Sequence, residues 1–232
     1  NSALSAVHIL GESGTGKEVV ADLFAASLPQ GTPFVRVHCG AISPSVMESE
    51  LFGYKKGAFT GALHDRKGLI EQAHGGYVFL DEIATMNEAT QVALLRVLEN
   101  QEIRPVGDSV TRKVNIKVLS ATNQDIAELV HSGSFRQDLW QRLCELTLRL
   151  PPLRERDNEI PDLVRHFVKS MGDYTITQPA IDALAEAPWR HGNIRELRNC
   201  LRAMTEFAQD KTLTPLAIPE HIWNDIDAND AE

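Results

Sequence analysis

The sequence predicts an α/β fold, a mostly parallel sheet flanked by helices, followed by a small helical domain. Three observations predict it. Over the first 150 residues, short apolar runs alternate with segments of helical period. The first apolar run feeds a glycine-rich loop that opens a helix. After Pro151-Pro152 the strand-like runs stop while helical periodicity continues.

The elements follow in order. Residues 6–10 are an apolar run ending at Gly11, a buried strand. Residues 16–28 carry Val19, Val20, Leu23, Phe24 and Ala26 at helical spacing. Residues 34–37 are a second strand. Ser43 followed by Pro44 starts a helix that runs to Leu51. The stretch 53–68 has neither period and contains Gly53, Gly57, Gly61 and Gly68, which predicts a long loop. A strand at 77–80 and a helix at 88–100 come next. Residues 102–106 and 110–114 flank Gly107-Asp108 as a hairpin. A strand at 116–121, helices near 124–131 and 136–143, and a strand near 146–150 complete the first domain, 1–150. Beyond it no strand is predicted. Helices at 159–171, 178–187 and 193–208 make a helical domain over 151–223. The acidic tail 224–232 is expected to be disordered.

The 232 residues include 43% hydrophobic and 24% charged side chains, enough for a packed core. No apolar run reaches membrane-spanning length and no signal peptide is visible, so a cytoplasmic protein with no membrane partner is expected. The first residue is not Met, which suggests a piece of a longer protein. A net charge of −9 argues against a nucleic-acid footprint over the whole surface. Cys39, Cys144 and Cys200 are too few and too scattered for a disulfide framework or zinc cluster, and read as free thiols.

The chemistry begins at Gly11-Glu12-Ser13-Gly14-Thr15-Gly16-Lys17. Glycines let backbone N–H groups turn onto phosphate oxygens, the helix N-terminus adds partial positive charge, and Lys17 adds a full one. A glycine-rich turn that merely ends in lysine is the competing reading; the strand before and helix after weaken it. Glu18 stands where Ser or Thr would offer a hydroxyl to Mg²⁺, and its carboxylate is still a hard oxygen ligand. The second half is Val78-Phe79-Leu80-Asp81-Glu82, a strand ending in two carboxylates. Asp81 is suited to hold Mg²⁺ and Glu82 to polarise an attacking water. Together the two motifs indicate phosphoryl transfer from ATP to water.

Gly11 to Glu18 resembles the phosphate loop of the AAA+ ATPases that activate sigma-54 RNA polymerase, the bacterial enhancer-binding proteins. Glu18 is usual in that family. The more specific match is Gly57-Ala58-Phe59-Thr60-Gly61-Ala62, the family's sigma-54-contacting signature, within the run 48–62. Ala121-Thr122-Asn123, Phe135-Arg136-Gln137-Asp138-Leu139, Pro151-Pro152-Leu153-Arg154-Glu155-Arg156 and Gly192-Asn193-Ile194-Arg195-Glu196-Leu197 continue the resemblance in family order, to about Leu213.

The resemblance implies an AAA+ fold with a helical lid, ATP and Mg²⁺ as ligands, a homo-oligomeric ring expected to be a hexamer, and sigma-54 RNA polymerase as partner. It implies that the loop around Phe59 moves with nucleotide state; composition alone favours a phenylalanine folded back onto the body. Thr122 and Asn123 resemble a first sensor of the γ-phosphate. Arg136 and Arg142 resemble fingers reaching a neighbouring subunit, Arg142 the weaker match; the competing reading of either is a solvated helix arginine. Arg195 resembles the second sensor on the lid. The family usually has Asn where His38 stands, a residue that restrains the catalytic glutamate. His38 is therefore a candidate switch toward Glu82, or else a satisfied core histidine. The family's adenine-contacting segment would precede residue 1, and DNA contact would come only from domains outside this chain. The expected function is ATP hydrolysis coupled to remodelling of the closed promoter complex. The alternatives are another AAA+ machine, against which the 57–62 hexad argues, and a nucleotide-binding subunit that does not hydrolyse.

Overall fold

The computed structural model describes residues 5–229. The chain divides into two compact units, one of Asn1–Leu10 with Lys17–Arg149, the other of Gly11–Gly16 with Leu150–Glu232.

The first unit runs β1 (Ala6–Leu10), α1 (Lys17–Ala26), β2 (Phe34–His38), α2 (Pro44–Phe52), β3 (Gly53–Tyr54), β4 (Arg66–Lys67), α3 (Leu69–Gln72), β5 (Tyr77–Asp81) and α4 (Glu88–Asn100). It continues with β6 (Glu102–Ile103), β7 (Arg112–Lys113), β8 (Lys117–Thr122), α5 (Ile126–His131), α6 (Gln137–Leu143) and β9 (Thr147–Arg149). Five strands form one sheet in the order β2-β5-β8-β1-β9, every pair parallel. The register sets His38 opposite Asp81 and Leu10 opposite Thr122, so these strand ends share the sheet's carboxyl edge. Open parallel sheets bind ligands at that edge. The interior strand β5 buries Val78, Phe79 and Leu80 on both faces, hence its unbroken apolar run. Val78 and Leu80 belong to one buried cluster with Val118 of β8, Leu94 and Val97 of α4, and Leu139 and Leu143 of α6. Helix α4 starts where Asn87 Oδ1 accepts from Thr90 N at 2.9 Å.

The predicted long loop 53–68 is closed at its base, where β3 pairs antiparallel with β4. Gly53 permits this: its φ is +81°, and a Cβ there would stand 2.4 Å from the Arg66 carbonyl oxygen. The predicted 102–114 hairpin pairs only at β6 and β7. Pro105 has no N–H to continue the ladder, and Val106 bridges to Tyr54 instead. The four-residue α3 is too short to show a period.

His8 of β1 is an unexpected polar residue in this core, with no exposed surface. Its Nδ1 lies 2.9 Å from Ser120 Oγ of β8, its ring meets Trp140 edge-on at 4.9 Å, and its Nε2 has no hydrogen-bond partner. Desolvation pushes its pKa down from 6.5 to about 4. As pH falls below the unfolded value the unfolded chain takes up a proton that the folded ring refuses. Stability therefore falls until the folded ring titrates near 4. Moving from pH 7 to pH 5 should destabilise the wild type by about 2 kcal/mol more than His8→Leu. Urea unfolding at the two pH values measures this, and equal pH slopes would refute it.

The second unit contains α7 (Ile160–Ser170), β10 (Thr175–Ile176), α8 (Gln178–Glu186), α9 (Asn193–Glu206), β11 (Thr212–Leu213) and α10 (Glu220–Asn229). Leu153, Ile160, Val164, Leu184, Leu197 and Leu201 form its core with Trp189, whose Nε1 donates to Leu184 O at 3.0 Å. Two expectations are corrected here. A strand pair exists after all, β10 parallel to β11, each too short to display alternation. The tail expected to be disordered from 224 is helical to Asn229, because Ile222 and Ile226, one helical turn apart, are both buried; 230–232 lie outside the described residues. Among the described residues no helix is long and apolar enough to cross a membrane. The three cysteines are free, and burial pushes the Cys39 and Cys200 thiols up to about 12, leaving them protonated and inert.

Candidate functional site

In the first unit, Asp81 ends β5 almost fully buried, and its Oδ1 accepts from Glu82 N at 2.9 Å. Glu82 turns the chain in the left-handed region, φ 54° and ψ 45°. Few non-glycine residues adopt that conformation, and it is met repeatedly at functional sites. His38 faces both carboxylates across the sheet: Nδ1 lies 3.3 Å from Asp81 Oδ2 and Nε2 lies 3.8 Å from Glu82 Oε2. The His38 side chain is 49% exposed, so the alternative of a core histidine is discarded. A Cβ on Gly40 would meet Glu82 Oε2 at 1.9 Å. Gly40 thus leaves the space this carboxylate occupies, a role the sequence does not signal.

Glu18, Asp22, Arg36, Val37, His38, Phe79 and Asp81 line a pocket of about 540 Å³. The two candidate metal carboxylates, Glu18 and Asp81, therefore open on one cavity. Thr122 is buried at the end of β8, where its Oγ1 accepts from Gln124 N at 3.1 Å, while Asn123 is exposed. Arg136 and Arg142 stand at opposite ends of α6. Arg136 is fixed by Gln91, whose Oε1 accepts its backbone N–H at 2.8 Å. Its guanidinium forms a two-point pair with Asp138 at 3.0 and 2.7 Å, and Arg142 approaches Glu99 at 3.8 Å.

The loop 57–62 is a compact turn: Gly57 N donates to Ala62 O at 2.9 Å and Ala62 N to Phe59 O at 3.0 Å. Asp65 braces it by accepting from Lys55 Nζ at 2.6 Å and Lys56 N at 2.9 Å, and the Lys55 ammonium holds its carboxyl below the usual range. Phe59 stacks edge-on against Tyr54 at 4.9 Å yet remains 43% exposed. The ring is neither fully free nor folded into the core.

In the second unit the candidate phosphate-loop residues Gly11–Gly16 are held by residues far along the chain. Gly14, φ +77°, lies against the turn before α9, and a Cβ there would stand 2.0 Å from Gly192 O. Only glycine fits such a contact. Gly16 has φ +102° and opens directly into Lys17, the first residue of α1. Arg154 donates to both Glu12 carboxylate oxygens at 2.6 and 2.9 Å and Asn193 Nδ2 donates to one at 3.1 Å. The Arg154 hydrogen bonds foremost, then that of Asn193, bring the Glu12 pKa down to about 2. Arg195, an ordinary surface arginine by its sequence alone, reaches Ser13 Oγ at 3.1 Å. No local pattern in the sequence marks Arg154, Arg156 or Asn193 for these contacts, although all three lie in the runs 151–156 and 192–197.

Comparison with known proteins agrees with this architecture. The family described as the sigma-54 interaction domain matches residues 2–149, and the AAA+ ATPase lid domain matches 154–232. The Nif-specific regulatory protein of Azotobacter vinelandii is 45% identical over 216 residues, which are 90% of this chain and 41% of that protein. The response regulator protein PilR of Pseudomonas aeruginosa is 43% identical over 215 residues, 90% of this chain and 48% of that one. This chain thus spans less than half the length of either relative. Crystal structures of NtrX from Brucella abortus, in complex with ADP and with ATP, superpose with a TM-score of 0.85 at 34% identity, covering 95% of this chain and 50% of theirs. A parallel sheet ending in Asp81-Glu82, a helical second unit and these matches together show that the chain belongs to the sigma-54 interaction domain family of AAA+ ATPases, joined to an AAA+ lid domain.

Proposed function

We propose that this chain is the ATP-hydrolysing central domain of a cytoplasmic sigma-54-dependent transcription activator, which remodels the closed complex of sigma-54 RNA polymerase through the loop 57–62. The observation that carries the reading is the arrangement at the carboxyl edge of the sheet. Glu82 is held in a left-handed turn, its carboxylate over Gly40 and beside His38, next to a pocket into which Glu18 and Asp81 open.

In the second unit the amides of Gly11–Gly16 would receive the phosphates, and Arg195 would report nucleotide to the lid. In the first unit Lys17 would add charge at the β/γ-phosphates. Glu82 would orient the attacking water and take its proton, with Thr122 and Asn123 sensing the γ-phosphate. Glu18 and Asp81 are the residues that would hold Mg²⁺. No group of three metal-ligating side chains occurs among the described residues. A two-carboxylate site suits a metal whose other ligands are phosphate oxygens and water. When bound, Mg²⁺ supplies neutralisation of charge on the phosphates. Arg136 and Arg142 would act on a neighbouring subunit's site in a ring, expected to be a hexamer. For Arg136 that requires exchanging its Asp138 partner for phosphate. His38, against Glu82, would restrain the glutamate between cycles.

The His38–Glu82 contact also motivates a second reading, a subunit that binds nucleotide without hydrolysing it. Phosphate release separates the two. Specific activity of the wild type is expected to rise with protein concentration as rings form, and Lys17→Ala to lower it roughly tenfold or more. No turnover by the wild type at high concentration, with nucleotide still bound, would overturn hydrolysis in favour of the second reading.

A further inference from the structure

We infer that Asn193 and Arg156 are positioning residues for the phosphate loop, holding its carbonyl groups outward so that its amides face an anion. The inference rests on the reading of Gly11–Gly16 as a phosphate site and adds to it what shapes that site before the ligand arrives.

In a trans peptide the N–H and C=O point in opposite directions. For loop amides to converge on one anion, the carbonyls of the same peptides must turn away from it. Each outward carbonyl then needs a donor of its own. The structure supplies three. Glu12 O accepts from Thr15 Oγ1 at 2.9 Å and, more weakly, from Thr15 N at 3.4 Å. Ser13 O accepts from Asn193 Nδ2 at 3.0 Å. Thr15 O accepts from Arg156 Nη2 at 3.0 Å. The first donor is local; the other two arrive from the opposite end of the sequence.

Asn193 is built for this task. It is 1% exposed and adopts φ 53°, a left-handed conformation that asparagine tolerates better than most residues. Its Oδ1 accepts from Leu153 N at 2.7 Å, which turns Nδ2 toward Ser13 O and the Glu12 carboxylate. Glu12, clamped by Arg154, keeps the same amide from swinging. Glu196 fixes the turn ahead of Asn193 by accepting from Gly192 N at 2.9 Å. Arg156 is mostly buried, and its Nη1 lies 3.5 Å from Glu159 Oε2, which restrains the guanidinium while Nη2 donates to Thr15 O. A cradle shaped in advance loses less ordering entropy on binding.

The test is titration of a fluorescent ADP analogue and a fluorescent non-hydrolysable ATP analogue against the whole chain. Asn193→Gly keeps the left-handed backbone and deletes only the amide; Arg156→Ala deletes the second donor and Arg156→Lys restores one. Asn193→Gly and Arg156→Ala should each weaken both ligands by the same factor, about tenfold, because the cradle serves phosphates common to both. Arg156→Lys should recover most of the affinity. Unchanged affinity in a folded Asn193→Gly, or no difference between Arg156→Ala and Arg156→Lys, would overturn the inference. Should Asn193→Gly fail to fold, the Arg156 pair decides alone. Wild type that binds neither ligand would instead overturn the phosphate-site reading itself.

Discussion

Glu82→Gln is expected to lower phosphate release by about 10²- to 10⁴-fold while nucleotide affinity stays within about threefold. The substitution keeps the size and the hydrogen-bonding reach of the side chain but removes its capacity to take a proton. The backbone that presents it is unusual: φ 54° at Glu82 and the empty space of Gly40 set the carboxylate apart from the covered end of β5. Asp81, one residue earlier, is buried, and its Oδ1 is occupied by the Glu82 N–H. It is a poor substitute base. Single-turnover hydrolysis beside equilibrium binding of an ATP analogue separates chemistry from affinity. A variant retaining a tenth or more of wild-type turnover would show that another group accepts the proton. Loss of binding in step with turnover would show that Glu82 shapes the pocket and does not act in the reaction.

Phe59→Ala is expected to abolish activation, by about 10²-fold or more, with ATP hydrolysis retained. The ring is a large apolar group, 43% exposed, on a turn braced at several points. Its edge-on contact with Tyr54 limits its rotamers without hiding it. Ala58 packs where a Gly107 Cβ would lie, 2.7 Å away, so the 102–113 segment supports the turn from beneath. An ordered aromatic loses little conformational entropy when a partner covers it, and buried aromatic anchors are worth about 2–4 kcal/mol on truncation. Transcription from a sigma-54 promoter, measured with phosphate release on the same preparations, reads both effects. Full activation by Phe59→Ala would remove the proposed contact. Parallel loss of both activities would point to a damaged fold.

The strands and longer helices are legible in the sequence because their signal is local. The helix 88–100 matches α4 end to end, since Leu94 and Val97 fall on one face and Asn87 caps the start. The pieces missed were short or unusually composed. β10 and β11 have two residues each, and α10 hides Ile222 and Ile226 in an acidic stretch.

By itself the sequence pointed to the family and to the chemistry proposed for the chain. Gly11 to Lys17, Asp81-Glu82 and the hexad 57–62 are contiguous motifs whose residue types and spacing are their signal. The tertiary structure alone decided what holds them. Parallel register brings His38 against Asp81 and Glu82, and the bare Cα of Gly40 receives the glutamate. The loop Gly11–Gly16 is grouped with the second unit, its Ser13 carbonyl pegged by Asn193 across 180 residues of sequence. Local periodicity cannot report such partners. A carbonyl's direction is set by whichever donor folding brings to it, and that donor is fixed by the packing of the whole unit.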